Sequence, residues 1–207
     1  MAELAKEYHF FILEDDAYAE LNFTGDELPP LYTLCPDRVI YLNTFSKIIA
    51  PGIRLGWVIA DQAIISKLKL LMLGGSTGVF TQEILAQLLE GFPFEEHLEQ
   101  LRGHYRKQRD VMVAALQRHF GEHVTFHIPQ GGFFLWLTFR EDVNTARLLR
   151  HAEARGVSFV DGRSFYVQEE GFRHARLCFS YCSQEQIERG IRILADAYFD
   201  YLNGNVQ

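Results

Sequence analysis

A chain of 207 residues that is 48 % hydrophobic and 14 % aromatic has enough apolar material for one large packed core or two small ones, and its composition excludes a disordered protein. A formal net charge of −7 argues against partners held by bulk positive charge, so neither nucleic acid nor a membrane surface is an expected partner. The cysteines, Cys35, Cys178 and Cys182, have no framework spacing. The last two, four apart in one expected strand, would lie roughly 13 Å from each other, too far for a disulfide. They read as reduced thiols, and with no signal peptide and no apolar run of bilayer length the expected location is cytoplasmic. His119 and His123 are four apart but interrupted by Gly121, so no metal is expected.

In chain order, "AELAKEY" reads as the end of a helix running into "HFFIL", a short strand buried on both faces. "RVIYL" (38–42) and "RLGWVIA" (54–60) are two further strands. Residues 61–91 suit two helices broken at "GGSTG" (74–78). Residues 94–120 form one long helix, with Leu98, Leu101, Tyr105, Val111, Ala115 and Phe120 on one stripe. "VTFHIPQGGFFLWLTF" is strand, turn, strand, with Pro129 and Gly131–Gly132 as the turn. A helix near 144–155, strands near 157–160 and 174–181, and a last helix opened by the capping box Ser183–Gln186 complete the chain. A boundary near Gly91–Pro93 separates an α/β part, 1–92, from a smaller α+β part, 93–207, that includes the long helix.

The connection between the first two strands, about two dozen residues, has the length that a parallel crossover needs. About a dozen residues, rich in Pro and Gly, join the second strand to the third, which therefore runs antiparallel to it. Asp15 and Tyr18 then follow the carboxyl end of strand one and Lys47 that of strand two, while Arg54 opens strand three at the same edge. Open α/β sheets bind ligands at that edge. Each group alone has a bland reading: solvated acids, a surface lysine, an arginine paired to some carboxylate. A carboxylate, a phenol, an amine and a guanidinium on one rim together fit the needs of pyridoxal phosphate. Its aldehyde takes an amine as a Schiff base and its ring nitrogen a carboxylate. Its 3-oxygen takes a hydroxyl, and its phosphate a guanidinium and hydroxyls.

With "DDAY" (15–18) and "TFSKIIAPGIRLGW" (44–57) in place, the sequence resembles the class I/II aminotransferases of the fold-type I pyridoxal-phosphate enzymes. It is most similar to the subgroup of 2-aminoadipate-type enzymes and the aminotransferase-like domains of MocR/GntR regulators. "PQGGFFLW" (129–136) and "ARLCFS" (175–180) resemble the family's small-domain strands. The resemblance implies the second half of a fold-type I large domain, with a mostly parallel sheet and one antiparallel strand, plus a small α+β C-terminal domain. It implies Lys47 as Schiff-base lysine and general base, Asp15 on the pyridine nitrogen and Tyr18 on the 3-oxygen. Thr44, Ser46 and Arg54 would hold the phosphate, and Arg176 the substrate α-carboxylate. Gly52 would permit the tight loop and Gly56 close packing.

The lysine of family members lies past their middle, whereas here it is residue 47. The resemblance therefore also implies that the family's phosphate turn, ring-stacking aromatic and Asn-Pro asparagine have no counterpart among these residues. The expected function is amino-group transfer between an amino acid and a 2-oxo acid, in amino acid metabolism, by a homodimer. Two alternatives stay open: the effector-sensing domain of a MocR/GntR-type regulator, and a catalytically silent fragment.

Overall fold

The computed structural model describes all residues except 26–27, 75–76, 169 and 205–207. The chain divides into two compact units, Met1–Arg102 and Gly103–Gln207.

In the first unit, helix α1 (Ala2–Tyr8) ends where His9 turns left-handed (φ 58°), and strand β1 (Ile12–Asp15) follows. The expected strand at 9–13 is therefore shifted toward the C-terminus, because a residue at positive φ cannot continue extended pairing. A short helix α2 (Leu31–Leu34) leads to β2 (Val39–Thr44), and two 3-10 turns, Phe45–Lys47 and Pro51–Ile53, lead to β3 (Gly56–Ile59). The sheet order is β1-β2-β3, with β1 parallel and β3 antiparallel to β2 as the connection lengths predict. The first strand is not buried on both faces: Leu13 is 66 % exposed, and Phe11 just before it is 55 % exposed. Helices α3 (Gln62–Leu71) and α4 (Val79–Gly91) flank the expected break, of which residues 75–76 lie outside the described residues. Asp61 starts α3 by accepting a hydrogen bond from the Ala63 amide (2.8 Å), one of the free N–H groups of a first turn.

Helix α5 (Phe94–Phe120) begins in the first unit and continues into the second. The second unit then adds β4 (Val124–Phe126), β5 (Phe134–Phe139), α6 (Thr145–Glu153), β6 (Val160–Asp161), β7 (His174–Cys178) and α7 (Gln184–Leu202). Its sheet is wholly antiparallel in the order β4-β5-β7-β6. The core is aromatic. Phe120, Phe139 and Tyr198 are each at most 2 % exposed, with Tyr198 5.4 Å from Phe120 and 5.5 Å from Phe139 between ring centroids. Both halves of the expected capping box form: Ser183 Oγ accepts from the Gln186 amide and Gln186 Oε1 from the Ser183 amide. Two strand expectations need correcting. The strand at 157–160 is only Val160–Asp161, and β7 stops at Cys178, so Cys182 lies beyond it in the approach to α7.

Asp161 anchors the turn after β6. Its carboxylate accepts from Arg163 Nε (2.7 Å), lies 2.9 Å from Thr145 Oγ1 and also accepts from the Arg163 amide (3.3 Å). Burial pushes its carboxyl up, but the bonds from Arg163 and Thr145 together with the Arg163 charge outweigh that, and its pKa lies below the ordinary 3.8. A depressed carboxyl stabilises the fold fully above its unfolded pKa and loses that contribution as pH falls through the lower folded value. Acid melts of the chain should therefore show an Asp161-linked loss confined to pH below about 4. Asp161→Asn should flatten that limb, and an unchanged limb would contradict the assignment.

Candidate functional site

Six of the seven site residues singled out above belong to the first unit, and the strand register sets where they fall. Asp15 ends β1 opposite Leu42, and the Asp16 amide still donates to the Leu42 carbonyl (2.9 Å), so the chain leaves the sheet just before Tyr18. Thr44 ends β2 opposite Gly56, and the next three residues wind into the turn that carries Ser46 and Lys47. Because β3 runs antiparallel, its start lies at the same edge, and Arg54 precedes it by two residues. The structure thus brings Asp15, Tyr18, Thr44, Ser46, Lys47 and Arg54 to one edge of the sheet. The Lys47 ammonium lies over the Tyr18 ring, 5.6 Å from its centroid. Arg176 belongs to the second unit, in the middle of β7.

The turn after β2 is built from hydroxyls. Thr44 Oγ1 accepts from the Ser46 amide (3.1 Å), donates to the Leu55 carbonyl (2.9 Å) and lies 3.0 Å from Ser46 Oγ. Asn43 beneath it is buried; its Oδ1 accepts from the Thr44 amide (2.6 Å) and its Nδ2 donates to Tyr41 Oη (2.9 Å). Asp16, beside Asp15, has a raised pKa. Burial is the main cause, opposed by a hydrogen bond with Tyr41 and reinforced by the charges of Glu14 and Asp15.

The left-handed residue of the next loop is Arg54 (φ 51°), not Gly52. A Cβ added at Gly52 would meet nothing, whereas one at Gly56 would lie 2.9 Å from the Asn43 carbonyl oxygen. Glycine is thus needed at 56 for strand approach, and the backbone cost, about 1–2 kcal/mol for a side chain in this region, falls on the arginine itself. Bonds on both sides hold that geometry: Thr77 Oγ1 donates to the Arg54 carbonyl (3.1 Å) and the Phe45 amide to that of Leu55 (3.1 Å). Neither Lys47 nor Arg54 enters any of the ion pairs formed among the described residues.

Two supports lay outside the sequence reading. His97 Nε2, near the start of α5, bonds the Ile48 carbonyl (2.7 Å), pinning the residue after Lys47. Arg102 Nε donates to the Glu20 carbonyl (2.8 Å), two residues past Tyr18. Both positions sit on a charged helix, and nothing in their spacing distinguishes them from a solvated face. His97→Leu should cost about 1 kcal/mol and quicken amide exchange at residues 45–49, while His97→Gln, which keeps a donor, should restore much of both. Unchanged exchange in the leucine variant would remove the pin.

An α/β sheet edge gathering these groups, in a chain that also carries a separate α+β unit, defines the fold-type I transferase architecture. The chain belongs to the aminotransferase class I and II family, whose model matches residues 1–194. It is 37 % identical over 199 residues to aromatic-amino-acid aminotransferase 1 of Thermococcus litoralis, covering 95 % of this chain and 48 % of that protein. It is also 31 % identical over 185 residues to the uncharacterized HTH-type transcriptional regulator YdfD of Bacillus subtilis, covering 87 % of this chain and 38 % of that protein. Among solved structures, LysN, the alpha-aminoadipate aminotransferase of Thermus thermophilus complexed with N-(5′-phosphopyridoxyl)-L-leucine, aligns with a TM-score of 0.92 at 32 % identity. That alignment covers 98 % of this chain and 53 % of the other. The chain spans about half the length of the curated aminotransferases it matches. Among the described residues no helix is long and apolar enough to cross a membrane.

Proposed function

We propose that this chain supplies the lysine-bearing side of a pyridoxal 5′-phosphate site that moves an amino group between an amino acid and a 2-oxo acid. The observation that carries the reading is the gathering of Asp15, Tyr18, the Thr44–Lys47 turn and Arg54 on one sheet edge, with the Lys47 ammonium over the Tyr18 ring. The residues fit the group: Lys47 and Arg54, which have no carboxylate partner among the described residues, and a cluster of hydroxyls form a donor set for an aldehyde and a phosphate. When bound, the cofactor supplies an electron sink that makes the substrate Cα–H acidic.

The chain's own residues do the rest. Asp15 offers a carboxylate to a ring nitrogen, and Tyr18 a hydroxyl to the 3-oxygen. Thr44, Ser46 and Arg54 offer hydroxyl and guanidinium donors to a phosphate. Lys47 Nζ would hold the cofactor aldehyde until the substrate amine displaces it, and the amine so freed would take a proton from the substrate Cα. In the second unit, Arg176 is the receiver of the substrate α-carboxylate. The same reading assigns cofactor binding to residues 1–92 and a small C-terminal domain to 93–207, in a cytoplasmic homodimer of amino acid metabolism, for which family membership is the support.

The test is to mix the chain with pyridoxal phosphate, reduce with borohydride, digest and map the added mass. Label confined to Lys47 is the expected result; label scattered over other lysines, or none, would overturn the reading. The match to a transcriptional regulator favours a second reading, an effector sensor that uses the same edge. A sensor would label at Lys47 yet release no 2-oxo acid from any amino acid supplied.

A further inference from the structure

Arg176 lies opposite Trp136 of β5 and Val160 of β6. Among the described residues it enters no ion pair, and its buried Nε has no hydrogen-bond partner. Two rings cover it instead: the guanidinium carbon is 4.0 Å from the centroid of Phe134 and 4.8 Å from that of Phe165. An aromatic face attracts the face of a guanidinium, whose donors all lie in its plane. Stacking therefore holds the cation while leaving its outer edge to bind a planar carboxylate.

The two rings arrive by different routes. Phe134 comes with the strand register, opposite Cys178 and one diagonal step from Arg176. Phe165 rides on the short turn Gly162–Phe165, which is fastened from several sides. Asp161 grips it through the Arg163 amide and Nε. A Cβ at Gly162 would sit 2.5 Å from His174 Cβ and 2.7 Å from the Gly171 carbonyl oxygen, so the backbones meet with no space between. Trp136 meets the Phe165 ring edge-on at 5.2 Å. Yet Phe165 itself is 45 % exposed. A ring placed so firmly and left so open is not a core filler.

We propose that Phe165 is a positioning residue: with Phe134 it holds the Arg176 guanidinium so that its free edge takes the substrate carboxylate, setting affinity for carboxylates and not the rate of proton transfer. The proposal rests on the reading of Arg176 as the α-carboxylate receiver.

The test uses the 207-residue chain with 15N-labelled arginine. The Arg176 Nε–Hε resonance is assigned by its loss in Arg176→Lys, and pyruvate serves as the probe. In the unaltered chain this resonance should show a ring-current shift and move saturably with pyruvate. Phe165→Leu should relax the ring-current shift and weaken pyruvate binding about tenfold, and Phe165→Tyr should preserve both. In a form that turns over, KM should rise for both substrates with kcat little changed. A resonance indifferent to Phe165→Leu, or one that relaxes with no loss of pyruvate affinity, would overturn the proposal. An unaltered Arg176 that ignores pyruvate overturns both the carboxylate role and this proposal, while the Lys47 mapping continues to judge the cofactor site separately.

Discussion

The role proposed for Lys47 predicts that Lys47→Arg abolishes the borohydride-fixed label at residue 47 and lowers the proposed amino-group transfer about a thousandfold, with no change in melting temperature. The arginine keeps a positive charge that can rest over the Tyr18 ring, so the contact seen at 5.6 Å and the fold around it should survive. What it cannot supply is a neutral amine, because a guanidinium does not lose its proton in a protein. The substitution thus separates the charge of residue 47 from its chemistry. The backbone should not shift, since the Phe45–Lys47 turn is capped by Thr44 Oγ1 and the following carbonyl is held by His97, both independent of the lysine side chain. Lys47→Ala should lose activity to a similar extent and regain part of it when a small primary amine is added, because the missing base is then provided from solution. An arginine variant that kept more than a tenth of the starting rate would show that proton transfer is performed elsewhere.

The gathering of the six first-unit residues was legible in the sequence for a physical reason. A crossover must be long and a reversal can be short, so two connection lengths decided which ends of three strands share an edge. Helix α5 and the capping box of α7 were legible too, because stripe and cap are local signals. The rest depends on tertiary placement. The apolar run "HFFIL" reads as a strand buried on both faces, but burial belongs to what packs against a strand, and Leu13 is 66 % exposed. The left-handed Arg54 was missed because a glycine stood two residues before it, and spacing cannot tell which of the two bends. Phe165 and His97 were invisible for a similar reason: an exposed ring over a guanidinium and an imidazole on a backbone carbonyl are long-range contacts that leave no periodicity.

Gly162→Ala should be among the most damaging single changes available in the second unit. Glycine is needed here for space, since the added methyl would lie 2.5 Å from His174 Cβ, 2.6 Å from the His174 carbonyl oxygen and 2.7 Å from that of Gly171. The obstacles are a Cβ and two backbone groups, none the far end of a flexible side chain, so relief requires moving β7 or the turn after β6. Overpacking of this kind costs about 3 kcal/mol, which for a unit of this size lowers the melting temperature by at least about 10 °C. Gly190→Ala, in the interior of α7 with nothing within 4 Å of where its methyl would lie, should instead stabilise by about 0.5–1 kcal/mol through helix propensity alone. The opposite signs of the two changes separate a steric requirement from a general intolerance of alanine. Because the turn that Gly162 seats also carries Phe165, the same variant should relax the ring-current shift at Arg176. If Gly162→Ala cost less than about 1 kcal/mol, the turn would be yielding to the methyl group. Phe165 would then rest over Arg176 by chance of packing and not because the fold holds it there.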